Sequence, residues 1–107
     1  MEKYTLLYLP IFDTDLTDAW EYITFNLNNP VAADKLILDT ESAITKRLKA
    51  PTSFQQYHSK KEREFPYYRI PVRNFTVWYV VIGNVMEVRR FLYNKRSVPH
   101  VKDILDF

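Results

Sequence analysis

The stretch from Tyr67 to Tyr93 constrains the fold most, because its pattern predicts three strands joined by two tight turns. Phe75–Ile82 contains only aromatic and β-branched residues, which suit a pleated and mostly buried strand. Gly83-Asn84, with the one glycine of the chain, follows it and tolerates the positive φ of a two-residue hairpin turn. Arg73-Asn74 marks a second turn. We therefore expect a three-stranded antiparallel meander.

Two-residue turns set the register of this meander. The turn at Gly83-Asn84 opposes Tyr79 to Val88, and the turn at Arg73-Asn74 opposes Arg69 to Trp78. Because side chains alternate across a strand, the core face should carry Phe75, Val77, Tyr79, Val81, Met86, Val88 and Leu92, with Arg90 as its one misfit. The opposite face should carry a row formed by Arg69, Trp78 and Arg89. That row is either a solvated cation–π contact or a binding surface.

The rest of the chain supplies one strand and two helices before the meander. Apolar residues at helical spacing predict the first helix, which should begin at Asp13 or Thr14 and bury a stripe of Leu16, Ala19, Trp20, Ile23 and Leu27. Asn29 should cap a second helix that has Pro30 at its first position and an apolar stripe through Ala33, Leu36 or Ile37, Thr40, Ile44 and Leu48. The predicted order is a strand over Lys3–Leu9, an antiparallel helix hairpin to about Lys49, an exposed loop over Pro51–Pro66, the meander, and a C-terminal tail with a short helix over His100–Phe107.

This order predicts an α+β fold in one domain spanning residues 1–107, with the helix hairpin packed on one sheet face to give two layers. The other sheet face should be open. Pro71 cannot donate to a ladder, so its strand should lie at an edge. The absence of cysteine and of any apolar run of membrane-spanning length favours a cytoplasmic protein without a membrane partner.

Charge is segregated along the chain although its formal net value is only +2. Up to Ala50 there are eight acidic residues and five basic ones, whereas from Pro51 onward there are ten basic residues and five acidic ones. A basic second half indicates a polyanionic partner. The two histidines are not spaced with carboxylates in a metal-ligand pattern, so we expect neither a metal nor a cofactor. The chemistry available is basic and aromatic, which suits phosphate contacts and base stacking.

Three segments together resemble the RelE/ParE superfamily of bacterial toxins. They are Asn29-Pro30-Val31-Ala32-Ala33, the aromatic-x-Val-x-Tyr strand Phe75–Tyr79, and Val88–Ser97 (VRRFLYNKRS). The order of one strand, two helices and three strands is also that of the family, and the likeness covers nearly the whole chain. The resemblance implies the toxin of a type II toxin–antitoxin system, of the kind that stabilises plasmids, neutralised by an antitoxin that we expect to be acidic.

The resemblance implies one of two activities. RelE-type toxins are endoribonucleases that cut mRNA on the ribosome and so inhibit translation, whereas ParE-type toxins poison DNA gyrase without nuclease activity. The first activity is our leading prediction, the second is the alternative, and a non-toxic member that only binds its partner is a third. In the RelE-type nucleases an Arg near the start of the central strand contacts the scissile phosphate, and here Thr76 occupies that position.

A nuclease of this type would need a phosphate-stabilising cation together with an acid and a base. The predicted catalytic residues are Arg69, Arg89 and Tyr93. The residues predicted to bind RNA or its phosphates are Arg73, Trp78, Arg96, Lys60 and Lys61. Arg90 is expected to be structural or to meet the antitoxin.

Overall fold

The computed structural model describes residues 3–57 and 64–94. It confirms the α+β order expected from the sequence. Its elements are β1 (Thr5–Tyr8), α1 (Pro10–Glu21), a π-helical turn (Tyr22–Asn26), α2 (Pro30–Arg47), β2 (Tyr68–Val72), β3 (Phe75–Ile82) and β4 (Val85–Tyr93). The C-terminal helix predicted over residues 100–107 lies outside the described residues. In the described ranges, neither helix combines the length and apolarity that a membrane span requires.

The two helices begin at prolines. Asn29 caps α2 as predicted, since its side-chain oxygen accepts a hydrogen bond from the backbone N–H of Ala32 at 3.2 Å. The predicted start of α1 at Asp13 or Thr14 is wrong, because Leu9 is its N-cap and Pro10 its first residue. Proline is favoured at this position because its missing N–H would have no partner inside the helix.

A π-helical turn ends the first helical segment. The Leu27 N–H donates to the carbonyl of Tyr22 at 3.1 Å, and Asn28 then adopts a φ of 52°. The wider turn interrupts the 3.6-residue period on which the predicted apolar stripe depends. Leu27 was predicted to be buried and is instead 56% exposed, beside Tyr22 at 54%.

The sheet has the strand order β1-β4-β3-β2, with β1 parallel to β4 and the other pairs antiparallel. Arg69 lies opposite Trp78, as the turn at Arg73-Asn74 predicted. Pro71 lies in β2, which is an edge strand as expected. Gly83 has a φ of 60°, which explains why the hairpin turn contains glycine.

A β-bulge at Arg89 changes the register of the second hairpin. Tyr79 pairs with Val88 as predicted, but Trp78 pairs with Arg90, so that Arg89 is the extra residue. The predicted faces of Phe91 and Leu92 are therefore reversed. Phe91 is 3% exposed in the main core, whereas Leu92 packs against a second cluster.

The main core lies between the helices and one sheet face. Helix α2 buries Ala33, Leu36, Thr40 and Ile44, which are the residues of the predicted stripe. Phe12 of α1, which the late predicted helix start left out, is also buried. This two-layer arrangement places the ends of α2 and β2 beside the loop that begins at Pro51.

The opposite sheet face was predicted to be open, and over its centre this prediction is wrong. Trp78, Val80 and Tyr67 form a second buried cluster, with Tyr57 and Phe65 packed against it. The described ends of the Pro51–Pro66 loop therefore contribute aromatic side chains that cover the sheet.

Candidate functional site

Trp78 does not present its ring to solvent. It is 5% exposed, and the rings of Tyr57 and Tyr67 meet it edge-on with centroids at 4.9 and 6.1 Å. Within the described residues, its indole N–H has no hydrogen-bond partner. The expectation that Trp78 offers an open face for base stacking is therefore contradicted, because the loop aromatics cover it.

Arg89 is held by its neighbours. Its Nε donates to Glu87 at 2.7 Å, and its Nη1 donates to the Tyr67 hydroxyl at 3.3 Å. Burial lowers the pKa of Arg89, but the hydrogen bonds to Tyr67 and Glu87 outweigh this effect, and the net shift is upward. Arg89 is thus a paired cation, engaged by Glu87 and Tyr67.

Two other predicted residues lie elsewhere. Arg73 occupies the β2–β3 turn with a φ of 54°, and its guanidinium forms a salt bridge with Asp39 of α2 at 2.7 Å. Tyr93 is 56% exposed and packs edge-on against Phe75, with ring centroids 5.4 Å apart. Lys60, Lys61 and Arg96 lie outside the described residues.

Arg69 lines an open pocket of about 360 Å³ that also contains an arginine the sequence prediction missed. The lining residues are Arg47, Phe54, Gln55, Arg69, Pro71 and Thr76. Arg47 lies in the last turn of α2, where the helix dipole favours a basic residue. No sequence pattern connects Arg47 with Arg69, because the chain returns to this pocket only after a loop.

Arg47 is fixed at the end of α2 by three contacts. Its Nη1 donates to the carbonyl of Arg69 at 3.0 Å and to the Tyr79 hydroxyl at 2.9 Å. Its Cζ lies 3.5 Å from the centre of the Phe54 ring. The Tyr79 hydroxyl in turn donates to the carbonyl of Pro51 at 2.7 Å. The guanidinium is therefore held in place before any ligand arrives.

Thr76 lies in the same pocket but cannot replace an arginine. It is 8% exposed, and its hydroxyl donates to the side-chain oxygen of Asn94 at 2.6 Å. Positive charge beside Thr76 instead comes from Arg47 and Arg69, which approach from α2 and β2. Of the two arginines predicted to be catalytic, the structure brings Arg69 to this pocket and leaves Arg89 with Glu87.

A second, larger groove of about 730 Å³ lies between the first helical segment and the ends of β3 and β4. Its lining is mainly apolar, with two acids on the α1 side. The lining residues are Asp15, Asp18, Ala19, Tyr22, Ile23, Leu27, Asn74, Phe75, Phe91, Leu92 and Tyr93.

Arg90, at the margin of this groove, has a structural role. Its guanidinium forms two hydrogen bonds with Asp15, at 2.7 and 2.9 Å, and Asp15 also accepts from the Phe91 N–H at 3.0 Å. The side chains of Arg90 and Asp15 are only 15% and 12% exposed, so the pair joins α1 to the bulged end of β4.

No cluster of three or more potential metal ligands occurs among residues 3–57 and 64–94. The pocket around Arg47 and Arg69 is suited to hold an anion through guanidinium N–H groups. The groove is suited to take apolar side chains.

Comparisons with known proteins agree on one family. The family model for the ParE toxin of the type II toxin–antitoxin system parDE matches residues 6–98. Among solved structures, the chromosomal ParDE system from P. aeruginosa matches with a TM-score of 0.71 and 14% identity, covering 86% of this chain and 97% of that chain. No curated protein sequence matched the chain.

The archaeal RelE-RelB complex from Pyrococcus horikoshii OT3 matches with a TM-score of 0.53 and 13% identity, covering 89% of this chain and 99% of that chain. These likenesses confirm the predicted RelE/ParE-like fold. Because the family model spans most of the sequence, the chain belongs to the ParE toxin family of type II toxin–antitoxin systems.

Proposed function

We propose that this toxin arrests growth by binding DNA gyrase, the target that the resemblance to ParE-type toxins implies, and not by cutting mRNA. The observation that carries this proposal is that residues predicted for cleavage or phosphate binding are engaged by different partners. Arg89 is paired with Glu87, Arg73 with Asp39, and Tyr93 packs on Phe75 at the apolar groove.

Cleavage by a 2′-hydroxyl requires a cation, an acid and a base within hydrogen-bond reach of one phosphodiester. Arg89, whose ion pair with Glu87 is mostly buried, would have to exchange that partner for the phosphate at a cost in ion-pair energy. Of the two predicted catalytic arginines, Arg69 alone is without a carboxylate partner in the described part of the chain. This distribution supports a toxin that acts by contact with a protein target.

A ribosome-dependent endoribonuclease is the second candidate. It is favoured by one specific observation, which is that Arg47 and Arg69 bring two guanidiniums to the pocket that contains Thr76. They would supply the phosphate-stabilising charge that the resemblance otherwise assigns to an arginine at position 76.

We further propose that a cognate antitoxin is the regulatory partner and that one of its segments occupies the large groove. The groove combines exposed apolar side chains, at Tyr22, Leu27 and Tyr93, with an exposed acid at Asp18. This surface fits a segment with apolar anchors and a neighbouring Lys or Arg that faces Asp18. The basic second half of the toxin fits an antitoxin that is acidic elsewhere.

Two assays on the purified toxin test the proposed target. The first measures negative supercoiling of relaxed plasmid by gyrase, and the second measures cleavage of mRNA bound to ribosomes. We expect inhibition of supercoiling at stoichiometric toxin and intact mRNA. Cleaved mRNA together with unaffected supercoiling would reject the gyrase proposal, and loss of that cleavage in Arg69→Gln would support the second candidate.

A further inference from the structure

We propose that the pocket around Arg47, Phe54 and Arg69, here called the Arg47 pocket, binds a nucleotide. Its phosphate would lie between the two guanidiniums and its base on the free face of Phe54. This binding site does not depend on whether gyrase or the ribosome is the target of the toxin.

Charge is the first reason for this inference. Carboxylates pair with Arg73, Arg89 and Arg90, at Asp39, Glu87 and Asp15 respectively. In the described ranges, neither Arg47 nor Arg69 has a carboxylate partner, although both line one pocket. A terminal phosphate carries a charge of about −1.5 to −2 at neutral pH, which matches two guanidiniums better than a single carboxylate does.

The aromatic residues are the second reason. Phe54 is 49% exposed although one face of its ring is occupied by the Arg47 guanidinium at 3.5 Å. The other face is therefore available to a base, and stacking on such a ring is tolerant of base identity. Gln55 adds an amide with both donor and acceptor atoms at the margin.

Pre-organisation is the third reason. Arg47 is fixed by the Arg69 carbonyl and the Tyr79 hydroxyl, and Arg69 lies with its Cζ 5.0 Å from the centre of the Tyr57 ring. Side chains ordered in advance lose little conformational entropy when a ligand binds. A volume of about 360 Å³ is near the lower end for ligand pockets, which fits one nucleotide.

The nucleotide could be free or could be the 5′-phosphorylated end of a strand, because both present the same phosphate and base. Isothermal titration of the full chain with inorganic phosphate, adenosine, AMP and a 5′-phosphorylated hexanucleotide distinguishes these sources. We expect AMP to bind more tightly than phosphate or adenosine. A hexanucleotide affinity well above that of AMP identifies a strand end, and equal affinities identify a free nucleotide.

Three variants test the residue assignments. Arg69→Gln should weaken AMP binding by about tenfold or more, as expected for a charge-assisted contact. Phe54→Leu should remove the advantage of AMP over phosphate while leaving phosphate binding in place. Lys46→Gln is the matched control, because it removes one positive charge from the same helix end without touching the pocket, and it should bind AMP like the wild type.

Arg47→Gln is expected to weaken binding too, but its loss of the Tyr79 contact also affects stability, so Arg69→Gln and Phe54→Leu carry the test. The proposal is overturned if wild type binds no AMP at millimolar concentration, or if Arg69→Gln and Lys46→Gln bind it equally. Equal affinity for AMP and for an acidic peptide of glutamates would also overturn it, since the pocket would then be a site for acidic protein segments.

Discussion

The hydroxyl of Tyr79 joins three parts of the molecule, namely β3, the end of α2 and the loop after α2. It accepts a hydrogen bond from Arg47 and donates one to the carbonyl of Pro51. The Arg47 pocket therefore depends on a core residue that does not line it. At the scale of single residues, this hydroxyl connects the stability of the fold with the geometry of the pocket.

Tyr79→Phe should lower the free energy of unfolding by about 1–2 kcal/mol, because the Pro51 carbonyl and an Arg47 donor lose a buried partner. Chemical denaturation at neutral pH measures this loss. Tyr93→Phe is the matched control, since it removes a phenol at the surface, and it should change stability little. Equal losses in the two variants would contradict the role given to the buried hydroxyl.

The same residue predicts a pH dependence. Burial raises the pKa of Tyr79 above its ordinary value of 10.0, and this effect outweighs the hydrogen bond from Arg47, which lowers it. Between pH 10.0 and the folded-state pKa, the unfolded chain has released the phenol proton of Tyr79 while the folded chain still holds it. The free energy of unfolding of the wild type should therefore fall as pH rises through this range. Tyr79→Phe should fall less steeply over this range in parallel denaturation series. Parallel curves would contradict the raised pKa.

Asp15→Asn should lower the free energy of unfolding by about 3 kcal/mol, because it leaves the largely buried Arg90 guanidinium without its carboxylate. Asp18→Asn, in the same helix and exposed, is the control and should be nearly neutral. Thermal unfolding of both variants checks the difference. If they have similar midpoints, the Asp15–Arg90 pair contributes less than its burial indicates.

Sequence reasoning reached some residues and missed others for identifiable reasons. Two predictions are confirmed, namely the cross-strand pairing of Arg69 with Trp78 and the helix cap at Asn29. Both follow from the local sequence preferences of turns and helix ends. The burial of Trp78 and the position of Arg47 depend on where the loop after α2 folds back. That path is set by long-range packing, which no local pattern reports.

At the scale of secondary-structure elements, the β-bulge in β4 decides which side chains reach the core. Arg89 is the extra residue of the bulge. Beyond it, side chains alternate between the two sheet faces as they would in a regular ladder from which Arg89 was missing. The sequence predicted the two strands and their turn correctly, because composition and glycine placement specify them. It did not predict the bulge, because an extra residue in a ladder leaves no mark in composition.

Deletion of Arg89 should therefore preserve the fold. Phe91 stays opposite Val77, and the expected cost is below about 2 kcal/mol, from the lost contacts with Glu87 and Tyr67. Deletion of Val77 is the control, because Val77 is a paired residue of a regular strand. Removing it shifts the alternation by one residue, turns Thr76 toward the core and should abolish cooperative unfolding. Cross-strand NOEs in the Arg89 deletion variant measure the pairing. Loss of the Val77–Phe91 contact would contradict this account of the bulge.

At the scale of the whole molecule, the described residues give the sheet aromatic cover on both faces, and two of its concave surfaces differ in charge. The Arg47 pocket is basic, whereas the large groove is apolar with acids on its α1 side. The segregation of charge along the sequence anticipated only part of this difference, because Arg69 and the acids of α1 follow it whereas Arg47 comes from the acidic first half. A protein with two such surfaces can bind a target and an antitoxin through different residues.

Leu27→Asp should prevent neutralisation by the antitoxin while leaving toxicity in place, because it removes an exposed apolar side chain and adds a third acid to the groove. Leu38→Asp changes a similarly exposed leucine of α2, outside the groove, and should remain neutralised. Co-expression of each variant with the antitoxin, scored by colony formation, measures the difference. Neutralisation of both variants would place the antitoxin elsewhere on the toxin.

The most direct test of the central claim is pulse-labelling of DNA and protein in a bacterium during the first minutes after the toxin is induced. Binding of gyrase predicts that thymidine incorporation falls first while leucine incorporation continues. An immediate stop in leucine incorporation, with DNA synthesis still running, would contradict the account and identify translation as the target.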